Sequence, residues 1–575
     1  MKDKFLTGKI PWKKIAQKVS AKLPPEVLLG PAEGEDAALI QVGGEIWAVA
    51  SDPITFTSKD AGKLSVFVNA NDVAVRGATP LYFTAIILIS PEHAEEDSIY
   101  ELLDEIRTTC ETMGIVLIGG HTEVTAGLPQ TIIAGTMLGK VAGRPITTGG
   151  LRHGDLIGMT KWAGLEGTTI LLTDFEDRLR DIHGPEFVNE FRSAAGENWL
   201  SILPEAATAA KSPSVTSLHD ITEGGIGEAL HEMEAASGLL LKVDPESIPI
   251  LPATKMVCAD FGMNPFGLIG SGSLLIGCSP EGKEELERAL AEKNVPFTWI
   301  GRALNAEPGA KEPGVKEPGV KEPATKESGV KEPGVKEAGA KKPAMKEPGD
   351  FLLWKRGIKG DFKDLPAAVP RFERDEILKA RLLEGLEAVV FDMDGTVIHS
   401  TYDWAAMRTQ FNVGAGSIIE HLNNLQEPER ESRLAELREI ERSASIIAHV
   451  KEGAADLLAL LKRKGIKTAL VTNNSDENAH YLIEKFGLAF DVVITRDSGL
   501  YKPSGAPVAE AVRRMNARLE KTLCVGDSLY DILACRDAGC GWVCILYDDK
   551  KVYSSTADLS FPDIHALIRY FTLAL

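Results

Sequence analysis

The sequence predicts two α/β modules separated by a tether. Three observations predict it: a pentapeptide repeat in mid-chain, strand-sized apolar runs alternating with amphipathic helices after it, and a looser mix of both before it. "EPGVKEPGVK" at 312–321 is the clearest part of a repeat running from Glu307 to Lys346. Its Pro and Gly break helix and strand alike, and it holds almost no large apolar residue for a core. A semi-rigid, solvated tether is expected over 306–350, and about forty such residues reach at most roughly 120 Å at about 3.1 Å each. Solenoid repeats are longer and carry apolar faces, so a repeat domain is excluded. Each flank is then expected to fold alone: 1–305 in two halves (1–155 and 156–305), and 386–575. Segment 351–385 connects them, and its pattern assigns it to neither side.

Composition narrows the partners. With 575 residues, 44% hydrophobic and 25% charged, the chain has material for several ordinary cores. A formal charge of −20 and the lack of lysine/arginine clusters argue against nucleic-acid and anionic-membrane partners. The N-terminal stretch lacks the apolar core of a signal peptide, and "FTAIILI" at 83–89 is strand-sized, so a cytoplasmic protein is expected. Seven cysteines without a C-x-x-C pair make a disulfide or zinc framework an unfavourable reading and core packing the favoured one.

After the tether, "EAVVFD", "KTALVTN", "DVVITR", "KTLCVGD" and "GWVCILY" read as strands. They alternate with helical stretches such as "GAADLLALLKRKG" and "GAPVAEAVRRMNARLE", the βαβ pattern of a Rossmann-like parallel sheet. Ligands of such sheets bind at the carboxyl ends of the strands. Asp392 and Asp394 follow the first strand, Thr472 ends the second, Lys502 follows the third, and Asp527 and Asp531 follow the fourth. Crowded carboxylates tolerate one another best around a divalent cation, and Mg²⁺ suits an all-oxygen shell shared with a phosphate.

"FDMDGT", "VTNN", "YKP" and "VGDSLYD", in that order, resemble the haloacid dehalogenase superfamily over residues 386 to 575. The resemblance implies that Asp392 attacks phosphorus and that Asp394 serves as acid and then base. It further implies that Lys502 and Thr472 hold the phosphoryl oxygens, and that Asp392, Asp394, Asp527 and Asp531 form the Mg²⁺ site. An acid at 394 favours phosphate monoesters of a small metabolite over organohalides, because an alkoxide needs a proton to leave. The charged helical stretch within about 399–448 resembles the family's small cap, and Tyr402, Asp403 and Trp404 stand at its entrance.

Before the tether, "AALIQV", "EIWAVAS", "GIVLIGG", "TIIAGTMLG", "DLIGMT" and "GSLLIG" read as strands and "DSIYELLDEIRTTCETMG" as a helix. Asp36, Asp52 and Asp72 are expected in polar or glycine-rich turns, where they are able to bind Mg²⁺ and a polyphosphate. "GEDAA", "SDP", "NANDVAVRGATP", "GGHTEVT", "HDITEGGIGEAL" and "GSGSLLIG" together resemble the ATP-binding family of aminoimidazole ribonucleotide (AIR) synthetase. Within it the hydrogenase-maturation dehydratase is the nearest in pattern. That resemblance implies a two-part α/β fold dimerising through the N-terminal halves. It also implies Mg²⁺ and ATP phosphates on Asp36, Asp52 and Asp72, in a cleft lined by Asn71, Gly119, Gly120, His121, Thr122, Asp220, Gly224 and Gly225.

Two departures limit the inference. His121 stands where many relatives carry an acid, which leaves the number of metals open. The chain ends "FTLAL" with no cysteine after Cys544, against the maturation enzyme's C-terminal cysteine chemistry, and its first cysteine, Cys110, stands too late for selenophosphate synthetase. The expectation is a bifunctional phosphoryl-handling protein whose modules need not touch. The alternatives are a phosphatase with a non-catalytic, ATP-binding, dimerising regulatory domain, and a phosphomutase.

Overall fold

A computed structural model describes residues 22–55, 60–196, 199–305, 369–372, 375–399, 402–414, 417–547 and 557–575, with a few positions ahead of 22. The tether and the first part of the connecting segment lie outside the described residues.

The first module holds two sheets. One comprises β1 (Val27–Leu29), β2 (Ala37–Val42), β3 (Glu45–Ala50), β4 (Pro53–Ile54), β5 (Ala78–Ile89), β6 (Val116–Val124) and β7 (Ile132–Val141). They run in the order β1-β2-β3-β7-β5-β6, with β4 on β7 and only the β5–β6 pair parallel. Alternate residues of β5 and β7 are buried, as a half-covered sheet requires. The helix covering that face, Ala61–Ala74, is buried nearly all round. Asp72 therefore sits in the last turn of a buried helix, not in the polar turn the sequence predicts. The pattern misleads because a helix sunk on every side has no polar stripe to reveal its period. The second sheet is antiparallel: β10 (Leu239–Val243), β12 (Phe297–Asn305), β8 (Leu156–Thr160), β11 (Leu274–Cys278) and β9 (Val215–Asp220) in that order.

The second module is a six-stranded sheet, β15-β14-β13-β16-β17-β18, parallel throughout. Its strands are β13 (Ala388–Phe391), β14 (Lys467–Val471), β15 (Val492–Ile494), β16 (Thr522–Gly526), β17 (Trp542–Leu546) and β18 (Leu559–Phe561). β13 and β16 are buried at every position, which is why they read as unbroken apolar runs. Between β13 and β14 lie the helices Trp404–Gln410, Ile418–Asn423 and Glu429–Ile447, around a small core of their own that includes Met407, Phe411, Leu422 and Leu437. This is the cap. No helix among the described residues is long and apolar enough to cross a membrane.

The modules, which the sequence does not require to touch, are packed on one another. One continuous core joins Phe261 and Leu268 of the first to Phe561, Tyr570 and Phe571 of the second. Phe261 meets Tyr570 edge-on at 6.3 Å and Phe175 at 5.1 Å. Arg569 Nε donates to Asp260 Oδ1 at 3.2 Å, and His183 Nε2 lies 2.5 Å from the other oxygen of the same carboxylate. The physical cause lies in "IHALIRYFTLA", whose apolar residues cover more than one face of the helix Ile564–Ala574. One face covers the parallel sheet, and another packs on the helix Pro252–Asp260. The connecting segment is placed too. Arg371 forks onto Glu228 at 2.9–3.3 Å, and the Asp375 carboxylate accepts from the N–H groups of Gly224, Ile269 and Ile377.

Candidate active sites

The carboxyl ends of β13, β14 and β16 gather the second module's polar residues around a cavity of 390 Å³. Asp392 leaves β13, its N–H bonded to Val525 O at 2.9 Å. Gly395, at φ 85°, turns the chain back where a Cβ would stand 2.0 Å from Asp527 Oδ2, so any side chain there is strained and must displace that carboxylate. Lys502 Nζ bonds Asp392 Oδ1 and lies 2.6 Å from Asp531 Oδ1. Asn473 pins that lysine's backbone, accepting from its N–H at 2.7 Å and donating to its C=O at 2.9 Å. Asp531 closes a capping box, accepting from the Ser528 N–H at 3.0 Å, and also accepts from Ser528 Oγ at 2.7 Å.

Carboxylate oxygens of Asp392, Asp527 and Asp531 fall within 4.8 Å of one another, a donor set that fits Mg²⁺. The Asp394 carboxylate stands apart from this trio. It is not in that group, and it accepts from Asn474 Nδ2 at 3.3 Å. Burial pushes Asp394 up to about 7, with Asp392 adding repulsion. Burial also pushes Asp527 up to about 8 and, against the pull of Lys502, Asp392 up to about 6. Burial works against the Lys502 cation, but Asp392 and Asp531 outweigh it and hold its proton. Thr472 is 2% exposed and lines the cavity.

Trp404, Met407, Ile418, Ile419 and Leu437 of the cap roof the cavity, beside Tyr402 and Arg408. Sequence reasoning missed Asn473, Asn474 and the buried ion pair between Glu441 and Arg496 that braces this wall, Arg496 Nη2 standing 2.8 Å from Glu441 Oε2. The "VTNN" motif carried the first two in plain view.

In the first module a cleft of 570 Å³ is lined by Asp36, Asp52, Thr222, Glu223 and Glu166 among others. Behind it lie Asp72 and Asp220, at most 1% exposed, whose carboxylate oxygens have no hydrogen-bond partner. Burial first, then repulsion from Asp52, Asp220 and Asp36, raises Asp72 well above the carboxylate range. Burial and Asp36 push Asp220 up to about 6. Orphaned, mutually repelling carboxylates fit a divalent cation. Asn69 fixes Asp52 from the buried helix, its Oδ1 accepting from the Asp52 N–H at 2.9 Å.

Several residues predicted for this cleft are elsewhere. Gly119, Gly120, His121 and Thr122 lie on β6, an edge strand exposed along its whole length, and His121 Nε2 faces Glu123 at 3.2 Å. The histidine among the aspartates is His219, 3.4 Å from Asp36 Oδ2 and grouped with Asp36 and Asp220. "HDITEGG" contained it, but the aspartate beside it drew the attention. Asn71 is buried and structural, donating to Leu200 O at 3.0 Å and accepting from Ile202 N at 3.1 Å. Gly224 and Gly225, at φ 81° and 60°, face protein rather than cleft: a Cβ on either would strike the carbonyl of Phe372 or Phe266 at 2.6–2.7 Å. All seven cysteines are buried and free, as expected, yet Cys524, Cys535 and Cys540 bring their sulfurs within 4.8 Å of one another, a convergence that sequence spacing did not reveal.

Comparison with known proteins agrees with this division. The model of the haloacid dehalogenase-like hydrolases matches residues 386–539. Those of the N- and C-terminal domains of AIR synthase related proteins match 34–141 and 152–310. Carbamoyl dehydratase HypE of Cupriavidus necator is 29% identical over 267 residues, covering 45% of this chain and 73% of that protein. HypE of Escherichia coli is 27% identical over 245 residues, covering 42% and 68%. A protein of Caldanaerobacter subterraneus subsp. tengcongensis named "Putative pyrophosphatase PpaX" is 32% identical over 173 residues, covering 27% of this chain and 79% of its own. The chain thus belongs, through its second module, to the haloacid dehalogenase-like hydrolases, and its first module is similar to the AIR synthase related proteins.

Proposed function

We infer that the second module is a Mg²⁺-dependent phosphatase acting on small phosphate monoesters, and that the first is an ATP-dependent module directed at an oxygen acceptor. The observation that carries the first reading is Lys502, held between Asp392 and Asp531 at the strand ends, with Asp394 lining the same cavity and hydrogen-bonded to Asn474. An Asp392 oxygen attacks phosphorus, forming an aspartyl phosphate as the ester P–O bond breaks. Asp394 gives its proton to the departing alkoxide, then takes one from the water that hydrolyses the acyl phosphate and frees Asp392. Lys502 and Thr472 balance and orient the phosphoryl oxygens. Asp392, Asp527 and Asp531 would hold Mg²⁺, which supplies charge neutralisation at the transferring phosphoryl group.

In the first module Asp36, Asp52, Asp72 and Asp220 would hold Mg²⁺ and with it the phosphates of ATP. Edge strand β6 exposes Val116, Ile118 and Val124 by 54–55% each, an apolar edge that supports dimerisation through the N-terminal halves. A second reading, a phosphatase regulated by an ATP-binding module, gains from the core the modules share. Phosphate release from a panel of phosphorylated metabolites, by wild type and Asp392→Asn with Mg²⁺, tests the phosphatase. Release by wild type alone supports it, and equal release refutes it. Hydrolysis of ATP by the full chain, lost in Asp72→Asn, separates an active first module from a binding one.

A further inference from the structure

The acidic cleft is completed by residues that belong to neither family match. Ile377, Leu378, Ala380 and Arg381 form one of its walls, and they lie between 152–310 and 386–539, the stretches that the two families account for. Facing them from the first module are Asp36, Asp52, Glu166, Asp174 and Glu223. Arg381 is the one cation among the described residues of this lining. A cleft of carboxylates binds metal readily, and the terminal phosphate of a nucleoside triphosphate is also well matched by a cationic side chain with donors to spare.

The wall is held from both modules. Asp375, fully buried, ties its start to Gly224 and Ile269 at 2.7 and 3.2 Å. Glu376 accepts from Asn264 N at 2.7 Å, and Lys379 Nζ donates to Gly262 O at 3.1 Å. On the other side the hydrolase's Tyr570 OH donates to Lys379 O at 2.6 Å. Arg381 follows two residues later. Its Nη2 rests on Asp174 Oδ2 at 2.9 Å with the side chain 45% exposed, which engages a fraction of the five guanidinium donors. We propose that Arg381 is the phosphate-contacting cation of the first module's cleft, set in place by a strut that the hydrolase module braces, and that the ligand it recognises is a nucleoside triphosphate.

This rests on the nucleotide reading of the cleft, and the experiment separates the two. Titration calorimetry on the full chain compares wild type, Arg381→Ala and Arg381→Lys, with Mg-ATP as the probe and adenosine as the phosphate-free control. The expected result is a Kd for Mg-ATP about 10- to 100-fold weaker in Arg381→Ala, the loss of a charge-assisted hydrogen bond. Arg381→Lys is expected to recover part of it, with adenosine affinity and thermal unfolding unchanged. Equal Mg-ATP affinity in wild type and Arg381→Ala overturns the assignment. So does an equal loss for ATP and adenosine, the mark of a structural role. If wild type binds neither probe, the nucleotide reading itself fails and the assignment with it.

Discussion

Replacing Phe261 by alanine is expected to loosen a helix in the other module. Phe261 is fully buried and packs on Phe175 of its own module and Tyr570 of the hydrolase. A Phe→Ala change at such a site costs about 3–5 kcal/mol. If half of that falls on contacts across the boundary, the helix Ile564–Ala574 loses about 2 kcal/mol of protection, roughly a 30-fold change in its opening equilibrium. Hydrogen exchange followed peptide by peptide reads this directly. Amides of Ile564–Ala574 and of Pro252–Asp260 are expected to exchange faster together, while the cap helix Glu429–Ile447 keeps its rate. Acceleration confined to Pro252–Asp260 would refute the reasoning, since the shared core would then transmit nothing.

Asp394→Asn is expected to lower turnover of alkyl phosphates by about 10²–10⁴ and of p-nitrophenyl phosphate far less, because nitrophenolate leaves without a proton; steady-state kinetics on both substrates checks it. Burial holds Glu166 up to about 7 against an ordinary 4.5, so the unfolded chain releases that proton first. Its contribution is complete below about pH 4.5 and is lost as pH rises through 7, about 3 kcal/mol in all. Denaturant titrations of wild type and Glu166→Gln across that window are expected to converge at the acid end and diverge by this order at the neutral end. Asp72→Asn removes a buried, unpartnered carboxylate. Without metal it is expected to unfold about 1–3 kcal/mol later than wild type, and in thermal-shift assays to lose the stabilisation that Mg-ATP gives the wild type.

Much of the second module was legible because its strands are buried on both faces and its polar residues stand at their ends. Apolar runs, a glycine turn and four acids in order determined both the sheet and the positions of Asp392, Asp527 and Asp531. What escaped was second-layer support: Asn473, which clamps Lys502, and the Glu441–Arg496 pair, whose partners come together only through the tertiary fold. The first module was read through motifs, and motifs do not say which side of a strand faces a cleft. "GGHT" landed on an exposed edge, whereas His219, one residue from a predicted aspartate, took the place expected for His121. The contact between modules was hidden for a different reason. A long polar tether suggests independence, but a helix such as Ile564–Ala574 with more than one apolar face needs two partners, and local periodicity does not identify the second.

The central claim is that Asp392 carries the phosphoryl group. The full chain, mixed with Mg²⁺ and p-nitrophenyl phosphate and quenched in acid within a turnover, is to be digested and its peptides weighed. The account predicts one added phosphoryl group on the peptide containing Asp392, sensitive to hydroxylamine as an acyl phosphate is, and absent from Asp392→Asn. Phosphate release at the wild-type rate by Asp392→Asn, with no adduct on either protein, would contradict it.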